Sequence, residues 1–211
     1  MKIAIFGASG WIGGTVAREA LGRGHEVTAV VRDPGRLTLE GVRVVKADAL
    51  DAEQIAAAAA GHDAAGAAIS GRRDGEARHI VDAARALLAG VPRAGVARLV
   101  WAGGAGSLEG APGVRLVDTP QFPAEWKPEA LAQAEALELF RGAGPGVEWI
   151  YISPAAILEP GARAGHFRIG GDQLLTDDKG ESRISVDDYA VAFVDEIERG
   201  THARQRITVA Y

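Results

Sequence analysis

Cysteine is absent from the 211 residues. Without a thiol there is no disulfide framework, no thiolate zinc site and no cysteine nucleophile. Lysine is scarce: Lys2, Lys46, Lys127 and Lys179 are all there is among 23 basic residues. The net charge is −5 and the pI about 5.6. No Lys/Arg-rich stripe gathers phosphate-neutralising charge, so no nucleic-acid partner is expected. Long apolar runs are missing too. Nothing approaches the ~20 residues of a membrane span. The opening MKIAIFGASG has only Ile3 to Phe6 before its glycines, too short for a signal-peptide core. A cytoplasmic protein without a membrane partner is the expectation. His25, His62, His79 and His202 lie scattered without a second ligand at helical spacing, and no metal site is expected.

Glycine, by contrast, takes 28 positions, well above its usual ~7% share. These glycines carry no three-residue period and sit among apolar runs, which excludes collagen and a disordered linker. Ile3 to Phe6 is a short continuous apolar run, as in a strand buried on both faces. Further strands are predicted at Val27–Val31, Val42–Lys46, Ala64–Ile69, Val96–Trp101 and Val147–Ile152. Helices are predicted at residues 11–23, 51–60, 74–90 and 128–142, the second capped by Asp51. Strands alternating with helices at this spacing imply βαβ units and a doubly wound parallel sheet of the α/β class. The predicted organisation is one domain over residues 1–211. Its core spans 1–153 and is followed by an irregular covering flap at 154–186, with short strands at His166–Ile169 and Gln173–Thr176. A closing helix and strand occupy 187–211, the helix N-capped by Ser185 in a near capping box with Asp188.

Gly7-Ala8-Ser9-Gly10-Trp11-Ile12-Gly13 joins the first strand to the first helix. In that context each glycine has a steric role: Gly7 for the sharp turn, Gly10 for close approach of a pyrophosphate, Gly13 for helix packing. The helix N-terminus favours an anion. Ordinary turn glycines are the alternative. Trp11 is expected to cover a cofactor edge, with Ser9 and Ile12 completing the loop. The GxxGxxG spacing resembles the short-chain dehydrogenase/reductase superfamily, with its Rossmann fold for NAD(P). After the second strand, Arg32 stands where an NADP 2′-phosphate contact belongs, and Asp33 is one place late for an NAD ribose. NADP(H) is therefore favoured over NAD(H), with Lys2 and Arg36 as lesser helpers or solvated charges. The resemblance implies that Asp48 and Ala49 contact the adenine, unless Asp48 is a helix cap. Ser70 and Gly71 leave the fourth strand near the topological switch point.

Many of these enzymes pair a tyrosine with a lysine four residues on. Here Tyr151 precedes Ala155, Tyr189 precedes Phe193 and Tyr211 ends the chain. At the fifth strand's exit, where such enzymes place a serine, Gly103 stands. The segments WAGGAGSL, YISPAAILEPGARAGHFRIGGDQLL and SRISVDDYAVAFVDEIERGTH resemble the bacterial NADH-flavin reductases of the atypical short-chain group, and more distantly biliverdin reductase B and NmrA-like proteins. The resemblance spans the whole chain. It implies hydride transfer from NAD(P)H to a flavin (FMN or FAD) that is a substrate rather than a prosthetic group. On this reading Gly103, Gly104 and Gly106 leave a bare floor for a flat ring, or form a loop that needs no side chains. Ser153 and Pro154 pass beside the nicotinamide, Ser153 either bonding its carboxamide or capping a turn. His166 and Phe167 on the flap are candidates for contact with the second ring. Ser153 and His166 are thus the candidates for a catalytic role. Trp101, Trp126 and Trp149 read as core or subunit contacts. The expected partner is a small-molecule acceptor, and the protein a monomer or homodimer. A quinone reductase and a non-catalytic NmrA-type sensor are the alternatives.

Overall fold

The computed structural model describes residues 1–71 and 75–211. In chain order the elements are β1 (Lys2–Phe6), α1 (Trp11–Gly22), β2 (Glu26–Val31), β3 (Arg43–Lys46), α2 (Ala52–Ala59), β4 (Ala64–Ala67), α3 (Arg78–Arg93) and β5 (Arg98–Ala102). There follow β6 (Glu109–Ala111), β7 (Val114–Arg115), α4 (Lys127–Arg141), β8 (Glu148–Pro154), β9 (Ile157–Glu159), β10 (Arg168–Gly170), β11 (Arg183–Ser185), α5 (Val186–Arg199) and β12 (Gln205–Ala210).

Eight strands form one sheet in the order β10-β12-β8-β5-β4-β1-β2-β3. Every pairing in it is parallel except β10 with β12. The chain moves outward from β1 to β2 and β3, then returns to place β4 on the other side of β1. The order reverses there, and ligands of such sheets collect at that point. Side chains alternate between two cores. Phe6, Trp101 and Tyr151 face Ile55 of α2, Leu87 of α3 and Phe140 of α4. Ile5, Val100 and Ile152 face Val16 of α1 and Phe193 of α5. The doubly wound α/β expectation holds.

β4 is built only of small residues, and the cause is lateral crowding. A Cβ on Gly66 would lie 2.8 Å from Ile5 and 2.9 Å from Phe193. Two boundaries move from the sequence expectation. The helix expected over 74–90 is α3, which runs through Gly90 because that glycine is a packing contact rather than a stop: a Cβ there would lie 2.6 Å from the Ala52 carbonyl oxygen on α2. Its expected first residue, Asp74, lies outside the described residues. The strand expected at Gln173–Thr176 is reduced to a single bridge between Gln173 and Glu109. The β6–β7 hairpin was not foreseen. Much of the flap is regular, since β10 joins the main sheet and β9 pairs with β11. Among the described residues no helix is long and apolar enough to cross a membrane.

Two caps appear as expected. Asp51 accepts from the N–H groups of Glu53 and Gln54, and Ser185 accepts from that of Asp188. The capping box is not completed, because the Ser185 N–H donates to the Tyr211 hydroxyl at 3.1 Å. The fully buried Asp188 carboxylate instead accepts from Ala164 N (2.7 Å), Gly165 N (3.0 Å), the Tyr211 hydroxyl (2.7 Å) and Ser185 Oγ (3.2 Å). It ties flap, closing helix and chain end together.

Burial alone would push the Asp188 carboxyl up, but these donors outweigh it and hold it below the ordinary carboxylate range. Asp188→Asn is expected to cost about 2–4 kcal/mol, because the amide leaves buried donors facing its own N–H₂. A depressed pKa contributes stability above the unfolded-state value of ~3.9 and loses it as pH falls through the folded value. Urea melts across the acid range should therefore show a shallower acid limb for the variant; identical limbs would remove Asp188 from this role.

Candidate functional site

The glycine turn lies at the C-terminal edge of the sheet. Gly7 adopts φ +81°, which its lack of a side chain permits, and its N–H donates to Val30 O at 3.1 Å. A Cβ on Gly7 would collide with the Ala68 carbonyl, and one on Gly13 with the carbonyl of Gly7. Gly10 differs. A Cβ there would meet only Gly7 O, at 3.3 Å, so the space above it is open. Gly10 is also the N-cap of α1, with no side-chain cap and no acid in the first turn. Helix N–H groups, an open approach and no competing carboxylate fit a pyrophosphate. Trp11 is half exposed at the turn, and Ile12 packs toward the α1–α5 core, leaving its backbone to the site.

The other expected cofactor residues lie along the same edge. Arg32 follows β2 and is exposed. Asp33 is occupied locally, accepting from Gly35 N at 3.1 Å and lying 3.7 Å from Arg36 Nε. Arg36 thus stands in a loose, exposed pair with Asp33. Lys2 is removed from its helper role, because it begins β1 and so lies at the opposite edge of the sheet. Asp48 follows β3 and folds into a turn, accepting from Leu50 N at 3.0 Å while its own N–H donates to Gln54 Oε1. Ala49 beside it is half-buried against the α2–α4 core. Ser70 donates to Glu129 Oε1 at 2.9 Å, linking the β4 exit to α4. Gly71 packs against the backbone of Glu76 and Ala77, to which a Cβ would come within 2.6 Å.

Two expectations at the β5 and β8 exits are corrected. The glycines at 103, 104 and 106 do not form a bare floor. Their Cβ directions are filled by the Tyr151 ring, by Gln133 (3.1 Å) and by Ala130 (2.7 Å), so they are glycines because the core closes over them. Ser153 is fully buried and accepts from Arg206 Nη1 at 3.3 Å, so its hydroxyl is spent inside the fold rather than presented at the β8 exit. Arg206 is in turn clamped by Asp172. Pro154, also buried, ends β8 and leaves only backbone at that exit. His166 is exposed, with Nδ1 at 3.2 Å from Ala164 O and its ring 6.1 Å from that of Tyr211. That places it beside the end of β12, beyond β8 from β5.

No tyrosine is poised to give up a proton. Tyr151 is buried with its hydroxyl donating to Gln133 and accepting from Gly104 N at 3.4 Å, and burial pushes its pKa up. Tyr189 is buried too, bonds Ile152 O at 2.7 Å and is likewise raised by burial. Tyr211 is raised by burial and held by Asp188. Gln133 was missed from sequence. It accepts from Trp101 Nε1 (3.0 Å) and donates to Ile69 O (3.4 Å), joining the β4 exit, β5 and β8. The available signal was a polar residue on the buried face of α4. Among the described residues no group of three or more metal-ligating side chains is present.

A family model described as NAD(P)H-binding matches residues 7–197. Among the solved structures that match the full length of the chain are three of 34% identity or more. A protein of Burkholderia pseudomallei, provisionally named as exported, is 47% identical with a TM-score of 0.91, and all of that chain is covered. One from Bacteroides thetaiotaomicron, provisionally named an epimerase, is 39% identical with a TM-score of 0.91 and 96% of that chain covered. One from Streptococcus pneumoniae TIGR4, provisionally named an NADH-flavin reductase, is 34% identical with a TM-score of 0.89 and 99% covered.

Gly10→Val is expected to abolish NAD(P)H binding in a fluorescence titration while lowering the melting temperature by no more than roughly 4 °C, about 1 kcal/mol in a chain this size. Gly13→Val, which drives a side chain into the carbonyl of Gly7, should lower it much further. Retained binding in the first variant would reject the phosphate assignment.

Proposed function

The chain belongs to the NAD(P)H-binding family, and on that premise we propose that it is an oxidoreductase of flavin-reductase type, passing hydride from NADPH to a flavin or similarly conjugated acceptor. The observation that carries this reading is the disposition of the tyrosines, each buried or hydrogen-bonded and none followed by lysine at the fourth place. An aldehyde or ketone would require a proton donor beside the β5 exit. A flavin does not. When bound, NADPH supplies the hydride, and a flavin ring spreads the charge it receives, so proton delivery is left to solvent. The relative from Streptococcus pneumoniae with its reductase name supports the same choice.

The chain's own residues have positioning roles in this proposal. The α1 N-terminus and Gly10 hold the pyrophosphate, Arg32 meets the 2′-phosphate, and Asp48 and Ala49 flank the adenine. Tyr151 and Gln133 fix the β5 exit so that its backbone stays in place under a flat ring. Holding two reactants in register is itself a large part of the rate in such transfers. We place this activity in the cytoplasm, where NADPH is regenerated.

NADPH oxidation with FMN, FAD, riboflavin and simple quinones is the deciding measurement. Turnover with flavins above quinones is expected. Tight NADPH binding with no turnover on any acceptor would replace the reductase by a sensor of NmrA type, and turnover on quinones alone by a quinone reductase. Separately, Arg32→Ala should weaken NADPH by roughly tenfold or more, the worth of a charge-assisted bond to phosphate, and NADH by less than about twofold. Equal losses would place the 2′-phosphate elsewhere.

A further inference from the structure

The glycine turn opens on one side into a cleft of about 300 Å³. Ser9, Gly10 and Trp11 form one end, Gly14 and Arg18 continue it along α1, and the segment around Thr38 closes it opposite. No carboxylate lines it. Most arginines of this chain are spoken for: Arg23, Arg93, Arg115 and Arg183 each pair with an acid within 3 Å or so. Arg18 is different. Among the described residues it has no hydrogen bond, ion pair or ring contact. The adjacent acid, Glu19, is held by Arg23 at 2.8 Å and by Arg163 at 3.4 Å.

Helix geometry aims this free cation at the turn. Trp11, Gly14 and Arg18 share a face of α1 by their spacing of three and four. Arg18 lies eight residues past Gly10, ~12 Å along the axis, but a helical side chain leans back toward the N-terminus and covers the preceding turn. The intervening position is Gly14, so no side chain blocks the way. An unpaired guanidinium at the far end of a cleft that begins at a pyrophosphate site suits a second phosphate, and its flat fork of donors suits a dianionic oxygen set.

We propose that Arg18 reads the adenosine 2′-phosphate of NADPH from the α1 side of this cleft, together with Arg32 at the exit of β2, with the Thr38 hydroxyl as a further donor. The assignment rests on the NADPH reading above and adds a specificity residue from a helix that ordinarily serves only the pyrophosphate.

Calorimetric titration with two fragments tests it without any turnover: 2′,5′-ADP, which carries the 2′-phosphate, and 5′-ADP, which lacks it. The native chain should prefer 2′,5′-ADP. Arg18→Gln should weaken 2′,5′-ADP by about tenfold or more and 5′-ADP by less than about twofold, and Arg18→Lys should recover part of the loss. Unchanged melting temperatures would show that the variants fold. A native chain without preference between the fragments would sink the NADPH reading itself. A native preference that survives intact in Arg18→Gln would overturn only the role of Arg18. Equal losses on both fragments would also overturn it, by assigning Arg18 to the pyrophosphate.

Discussion

The close passage of backbone against backbone at Gly7 is the constraint on which the site depends. The turn after β1 runs so near the Ala68 carbonyl, and α1 starts so near the carbonyl of Gly7, that neither Gly7 nor Gly13 has room for a side chain. Those two contacts bring the C-terminal ends of β1 and β4 and the N-terminus of α1 to one place, where the strand order reverses. The same economy of space recurs beneath it, where β4 is Ala-Ala-Gly-Ala and Gly66 is pressed by Ile5 and Phe193. Small residues here set how near two helical layers come to one sheet, and nearness puts unsatisfied helix N–H groups at an open surface.

Glycine therefore does two different things in this chain, and only position in space separates them. At residue 10 the missing side chain leaves a space that nothing in the protein fills. At 103, 104 and 106 it leaves a space that the protein fills itself, with Tyr151, Gln133 and Ala130. The second group makes the β5 exit stiff rather than bare. Tyr151 shows the same inversion. A tyrosine near a reductase site invites an acid–base role, yet here the ring is packed against Phe140 and its hydroxyl joins Gly104 to Gln133. Burial raises its pKa and its hydroxyl is already bonded within the core, which is why the proposed acceptor is a ring that needs no proton donor.

Features that depend on neighbours in sequence were legible from sequence. Parallel strands buried on both faces appear as apolar runs, and caps such as Asp51 and Ser185 declare themselves within three residues of their helices. The glycine turn is local too. Features that depend on what lies across the fold were not legible. Ser153 resembles an exposed loop hydroxyl until β12 brings Arg206 onto it. Lys2 stands near the turn in sequence, but a strand of five residues separates the two edges of the sheet. Gly90 and Pro92 look like the end of a helix, and packing on α2 carries α3 past both. Arg18 was invisible for the opposite reason, since an arginine two turns into a helix ordinarily faces water and only the cleft beside it distinguishes this one.

The two halves of the site are held in unlike ways, and the difference bears on specificity. The cofactor half is fixed by backbone contacts that tolerate no substitution at Gly7 or Gly13. The segment at 154–186 is held mainly through side chains and short strands: Ala164 and Gly165 donate to Asp188, Asp172 clamps Arg206 and pairs with Arg141, Arg163 pairs with Glu19, and β9 and β10 pair with β11 and β12. Its described polar groups pair with neighbouring elements, as Asp172 does with Arg206 and Arg141, or lie at the surface, as His166 does. A pocket that recognises a particular carbonyl needs fixed donors, because a substrate lacking the matching group leaves them unpaired. In the proposed reductase the fixed groups lie in the nucleotide half, so specificity concentrates on the nucleotide and the acceptor is selected by flatness and redox character.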